Sequence, residues 1–182
     1  MTSYDPVFKY SRPLVSLHWL MFLLLIVVYA AMEFRVLFEK GMPEREFMKS
    51  LHVMFGLCVF ALVLLRLLAK RLSPRPEELE TQGLRLLLHR AAGAGHVVLY
   101  LFMAIMPIAG WLMLSAAGKP IPFFGLTLPA LIAPDEALST QIKAAHALAG
   151  NIGYGLIGLH VAASLFHQMV LKDRLLERMR WR

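Results

Sequence analysis

The sequence predicts an all-α fold, an integral membrane four-helix bundle in one domain spanning residues 1–182. Three observations carry that reading. The chain is 58% hydrophobic and only 17% charged, against about 25% charged in an ordinary soluble domain. Its apolar residues gather into four long, nearly uncharged runs, and none of them has the polar face that a soluble helix needs. Its basic residues flank those runs instead of forming a polar domain of their own.

The first run, Leu14–Met32, opens with Ser11-Arg12-Pro13. Proline is harmless there because its missing donor is unpaired at a helix start anyway. The run exceeds the roughly 7–15 residues of a signal-peptide core and carries His18, so it reads as a span. The second runs from near Phe47 to Leu65, after which Arg66, Lys70 and Arg71 mark the return to a polar surface. The third, Ala91–Ala117, contains Pro107, which predicts a kink that neighbouring helices can accommodate. The fourth is Ala144–Leu171. Spans at about 13–34, 47–70, 89–115 and 142–171 meet the roughly 20 residues needed to cross about 30 Å of hydrocarbon. The stretch Lys119–Leu138 holds Pro120, Pro122, Pro129 and Pro134, so it cannot be a fifth helix and is expected to fold over the mouth of the bundle.

Of the Lys and Arg residues, thirteen lie in the N-terminal tail, between Arg66 and Arg90, and from Lys172 onward. Six lie on the other side: Arg35, Lys40, Arg45, Lys49, Lys119 and Lys143. The positive-inside rule then puts both termini in the cytoplasm. The net charge of +7 is thus a topology signal and not a nucleic-acid surface, and no partner of that kind is expected. The lone Cys58 excludes an intramolecular disulfide, and with no Cys-x-x-Cys-His sequence any haem must be b-type.

Six histidines, His18, His52, His96, His146, His160 and His167, fall within the apolar runs, with His89 at an edge. Ionisable residues in a membrane are costly and mark function. His146 and His160, fourteen residues apart on one helix, are separated by about 21 Å and return to within about 40° of the same face. Gly150 and Gly153 lie on or beside that face, and Gly56 follows His52 by one turn, so a flat macrocycle could approach the backbone. Helix direction puts His52 and His146 in the outer half of the bundle. In the inner half His160 could pair with His18 or with His96. Two histidines at matched depth suit haem iron better than zinc, which wants four ligands around a tetrahedral centre. The bundle therefore reads as enclosing two b-type haems. A transporter with a histidine relay is disfavoured, since Glu33 is the only carboxylate near a span.

Five stretches point to a known family: Tyr10-Ser11-Arg12 with Ser16-Leu17-His18-Trp19-Leu20, Ala31-Met32-Glu33-Phe34-Arg35, His89 and His96 before Leu99-Tyr100, Phe124-Gly125-Leu126-Thr127-Leu128-Pro129, and Asn151-Ile152-Gly153-Tyr154 leading to Ile157-Gly158-Leu159-His160. On these the sequence resembles the bacterial di-haem cytochrome b-561 family, in particular its superoxide oxidase (superoxide:ubiquinone oxidoreductase) members. The resemblance implies a multi-pass protein of the bacterial inner membrane that carries electrons from superoxide at the periplasmic face to ubiquinone near the cytoplasmic face, without an obligatory protein partner. It implies His18 with His160 on the inner haem iron and His52 with His146 on the outer, leaving His89 and His96 as non-ligands. It also implies a ubiquinone site beside the inner haem, to which Ser16, His167 and the basic residues Arg66 and Arg75, at the end of the second helix and in the loop that follows it, would contribute.

Two axial histidines leave no open coordination position, so superoxide must react at a haem edge. The six outer cations face six outer acids, Glu33, Glu39, Glu44, Glu46, Asp135 and Glu136. Attraction of the anion therefore needs a local cluster, for which Lys119 and Lys143 are the candidates. The competing reading is a cytochrome b carrier subunit that links a dehydrogenase or hydrogenase to the quinone pool.

Overall fold

A computed structural model describes residues 9–73, 82–172 and 174–180. Four long helices, α1 (Arg12–Phe34), α2 (Pro43–Leu72), α3 (Leu84–Ala116) and α4 (Glu136–Phe166), alternate in direction, and each is long and apolar enough to cross a membrane. A two-stranded antiparallel hairpin, β1 (Ile121–Phe123) with β2 (Leu126–Leu128), follows α3, and a short α5 (Leu175–Arg178) ends the described chain.

Three helices begin earlier than their apolar runs. In α2, Pro43 opens the helix and the charged first turns, with Glu44 and Glu46, precede the apolar run. Acidic residues are favoured there by the helix dipole. In α4, Asp135 caps the start by accepting from the Leu138 N–H at 3.0 Å. In α3 the helix starts at Leu84, after Gly83 at φ +62°. Apolar periodicity marks what sits in lipid, whereas hydrogen bonding carries helices beyond it. The α3 helix continues through Pro107. At the other end of α4 the α-helix gives way to a π-helical turn over His167–Leu171. Lys172 and Arg174, both left-handed, then reverse the chain.

That reversal brings the C-terminal segment back onto α1. The Trp19 indole donates to the Met179 carbonyl (3.0 Å) and the Tyr10 N–H to that of Arg178 (3.2 Å). Arg174 donates twice to the Glu177 carboxylate, at 2.9 and 2.6 Å, and these bonds hold that carboxyl below the usual range.

Packing is uneven around the bundle. The α1–α2, α2–α3 and α3–α4 pairs pack closely, but among the described residues no Cα of α1 comes within 8 Å of a Cα of α4. The small core of Met21, Val59 and Val63 belongs to α1 and α2, with Tyr100 and Met103 of α3 against it. Side chains bridge the α1–α4 gap. Tyr29 donates to the Gly150 carbonyl (3.0 Å), and its ring lies 4.5 Å from that of Tyr154. Gly153 is buried under this bridge, and a Cβ there would overlap the Tyr29 hydroxyl and the Phe102 ring. Gly153 therefore serves the close packing of two aromatic rings.

The hairpin also departs from expectation. Its start packs against α2 and α3, where Ile121 is buried, and the Phe124 N–H meets the Met54 sulfur at 3.3 Å. Met54 lies about 200° around α2 from His52, so the hairpin hangs on the flank of the bundle and does not cover its mouth.

Gly153→Ala is expected to lower stability in detergent by about 1–3 kcal/mol, because both rings must move and Tyr29 must give up its bond. Gly155→Ala, where a Cβ meets nothing within 4 Å, is expected to be neutral or stabilising, since alanine is the better helix former by up to about 1 kcal/mol. Thermal unfolding followed by circular dichroism checks both.

Candidate functional site

The histidines assemble into two groups at opposite ends of the bundle. At the hairpin end, the rings of His52 on α2 and His146 on α4 have centroids 6.1 Å apart. At the end that carries the termini, His18 on α1 and His160 on α4 are 6.3 Å apart, and His96 on α3 lies 5.3 Å from His160. A metal–imidazole bond is about 2.0 Å and a ring centre lies roughly 1.2 Å behind its nitrogen, so two imidazoles on opposite sides of one metal have centroids about 6 Å apart. The 52/146 and 18/160 pairs have that spacing, whereas 96/160 is shorter. His96 also places its Nδ1 2.7 Å from the Ala92 carbonyl of its own helix.

The hairpin-end pair opens into a cavity of about 300 Å³ lined from all four helices. Gly56 and Gly150 line it, as their spacing from His52 and His146 predicts, together with Met103, Met106 and Pro107. His52 Nδ1 lies 2.9 Å from the Val28 carbonyl. Such a bond fixes the tautomer and leaves Nε2 to bind a metal. His146 packs on Gly110, where a Cβ would lie 3.4 Å from the ring, and its Nδ1 is buried with no hydrogen-bond partner. A buried polar atom of this kind calls for an explanation such as a missing ion; a metal bound at Nδ1 itself would satisfy it, whereas one bound at Nε2 would leave it unpaired. Among the described residues no three His, Cys, Asp or Glu side chains converge on one point. Paired imidazoles, flanking glycines and an apolar cavity fit a haem.

A scan of protein families matches residues 9–182 to the model described as prokaryotic cytochrome b561. The chain belongs to the prokaryotic cytochrome b561 family. Membership implies b-type haem, electron transport and a membrane location for the four apolar helices. The chain is 32% identical to cytochrome b561 homolog 1 of Escherichia coli K12 over 94% of this chain and 96% of that protein. It is 33% identical to a probable superoxide oxidase, CybB, of Yersinia pestis over 94% and 95%. A third relative, cytochrome b561 homolog 2 of Escherichia coli K12, is 33% identical over 71% of this chain and 69% of its own length.

The remaining sequence candidates are scattered. Ser16 bonds back to the Arg12 carbonyl (2.9 Å). Arg66 donates to the Leu14 carbonyl (2.6 Å) and the Tyr100 hydroxyl (2.9 Å), so it ties three helices together close to the His18 group. His167 begins the π-helical turn, and Arg75 lies outside the described residues. Lys119 and Lys143 are exposed at the hairpin end, and neither lines the cavity.

The cation that does line it is Arg35, alongside Glu33 and Tyr154. Tyr154 donates to Glu33 at 2.5 Å. Sequence reasoning counted Arg35 among the outer cations and Glu33 as the membrane carboxylate, but had no signal that Tyr154, on another helix, would meet it. The bond satisfies a carboxylate at the edge of an apolar cavity, where an unpaired one would be costly.

Tyr154→Phe is expected to cost about 1–2 kcal/mol, the range for a partly exposed hydrogen bond to a charged group. The loss should shrink in a Glu33→Gln background, and a double-mutant cycle by thermal unfolding measures that coupling.

Proposed function

We propose that this cytochrome b561 is a di-haem superoxide:ubiquinone oxidoreductase, taking electrons from superoxide at the hairpin end and giving them to ubiquinone at the other. The observation that carries this reading is two histidine pairs, 52/146 and 18/160, each at the spacing of one metal and set at opposite ends of one bundle. Two haem b groups, when bound, supply one-electron transfer. His52 and His146 would hold one, His18 and His160 the other. The excess of basic residues on the side of the termini supports a cytoplasmic location for both termini, which puts the hairpin end on the periplasmic side of a bacterial inner membrane.

The stoichiometry is two superoxide anions losing one electron each to give two molecules of oxygen, and one ubiquinone gaining two electrons and two protons. With two histidines holding each haem, no position would be left for superoxide to bind the iron, so an anionic donor would have to give up its electron without coordinating it. Lys143 precedes His146 by three residues and so sits one turn nearer the surface on the same face. Lys49 stands in the same relation to His52 but pairs with Glu46 at 2.6 Å; the candidates for steering are Arg35, which lines the cavity, with Lys119 and Lys143. The relative named a probable superoxide oxidase supports this donor. At the other end, His167, the first residue past α4, follows His160 by seven residues and so continues the same face. It is the candidate to bond a quinone carbonyl and deliver a proton, with Ser16 and Arg66 on neighbouring helices and Arg75 in the connection after α2.

Haem content tests the ligand assignment. His52→Ala or His146→Ala should lose one haem and keep the other, His18→Ala or His160→Ala should lose the other one, and His96→Ala should keep both, each counted by the pyridine haemochrome spectrum and redox titration. Loss of a haem on replacing His96 would reassign the pair.

Rapid mixing with superoxide tests the activity. Superoxide should reduce the haems quickly and a ubiquinone analogue should reoxidise them. High salt should slow the first step as the screening length falls to about 3 Å at 1 M, and Lys119→Glu or Lys143→Glu should slow it without loss of haem. His167→Ala should slow only reoxidation. Failure of superoxide to reduce the haems would favour the carrier-subunit reading instead.

A further inference from the structure

The segment between α3 and α4 is the one stretch at the hairpin end whose composition does not match a loop in water. Residues 120–134 contain no charged residue, although Lys119 and Asp135 bracket them. The hairpin leaves much of its apolar tip uncovered: Leu126 is 68% exposed and Phe124 58%, while Ile121 at its root is 2% exposed.

Two hydrogen bonds fix its depth independently. On α2, the Phe124 N–H meets the Met54 sulfur. Met54 lies five residues past Lys49, the last charged residue before the apolar run, or about 7.5 Å along the helix axis. On α3, the Trp111 indole donates to the Pro129 carbonyl at 3.0 Å. Trp111 lies five residues before the end of α3 at Ala116, again about 7.5 Å. The returning chain then climbs, through the Leu131 N–H to the Ser115 hydroxyl (3.0 Å) and the Asp135 N–H to the Ala116 carbonyl (2.8 Å). Both registers put the tip below the level at which the flanking helices carry charge.

We infer that the β1–β2 hairpin is a membrane wedge, seated in the interfacial layer of the leaflet at its end of the bundle with Phe124 and Leu126 among the lipid chains. A depth of about 5–10 Å is where amphipathic segments rest at the boundary of headgroups and acyl chains. Tryptophan is enriched at that level, and Trp111 supplies it. The backbone suits the place. Unpaired N–H groups are what make an open sheet edge unfavourable near lipid, and Pro120, Pro122, Pro129 and Pro134 have none to leave unpaired. This placement depends only on the four membrane spans and stands apart from the proposed electron transfer.

The test uses the haem-loaded protein in phospholipid vesicles, with Cys58→Ser as the background so that one new thiol is read at a time. Leu126→Cys should react with a membrane-impermeant maleimide about tenfold or more slowly than Lys119→Cys, because the reactive thiolate needs water, and the difference should vanish in SDS. A phospholipid with a photoactivatable group near its glycerol should attach within residues 120–134 of the unmodified protein, as located by mass spectrometry. An unchanged haem spectrum confirms that each variant is folded. Labelling of Leu126→Cys as fast as Lys119→Cys, or the lack of any lipid adduct within 120–134, would overturn the wedge.

Discussion

Hydrocarbon cannot solvate a polar group, and most of this architecture follows from that constraint. Inside the bilayer every backbone donor and acceptor must be satisfied by the chain itself, so only long helices can cross. Each polar side chain carried into a span needs a partner as well, and the partners are specific. His52 takes the Val28 carbonyl, Tyr29 that of Gly150, Arg66 that of Leu14, and Ser164 that of His160 four residues earlier. Tyr154 takes Glu33. Apart from the serine, these bonds run between helices, so the cost of burying polar groups is also what ties the bundle together where apolar packing is thin.

It is thin between α1 and α4, whose backbones stand apart. Two tyrosines span the gap on the hairpin half and two histidines on the other. Closer packing would remove the space between the paired imidazoles and with it the cavity. A bundle that must hold a flat cofactor therefore gives up helix–helix contact along one seam and recovers part of the lost stability from polar bridges. Gly153, midway between His146 and His160 in sequence, marks where the seam closes, because only a residue without a Cβ lets Tyr29 and Phe102 meet over α4.

Neutral imidazoles are costly in a membrane unless bonded, and the two rings of the hairpin-end pair differ in how they are held. His52 is oriented by a backbone carbonyl, whereas His146 has a buried nitrogen with no partner and rests against Gly110. The two rings of this pair are thus oriented by different means, one by a hydrogen bond and the other by packing.

The four spans, their order and the candidate ligands were legible in the sequence because each depends on composition and helical spacing. Fourteen residues between His146 and His160 fix two depths on one helix whatever surrounds them. Helix starts were less legible, since Asp135 and the charged first turn of α2 continue a helix by hydrogen bonding beyond the apolar run that periodicity detects. The choice between His18 and His96 as the partner of His160 was open to spacing, because all three lie at one depth, and the structure brings both rings close to His160, at 6.3 and 5.3 Å. The Glu33–Tyr154 bond, the role of Gly153 and the flank on which the hairpin lies came only from tertiary structure. Each depends on how helices distant in sequence are rotated about their axes, and local sequence patterns do not encode that rotation. What the sequence determined by itself was which residues must leave water and at what depth they lie. Their neighbours were decided by packing in three dimensions.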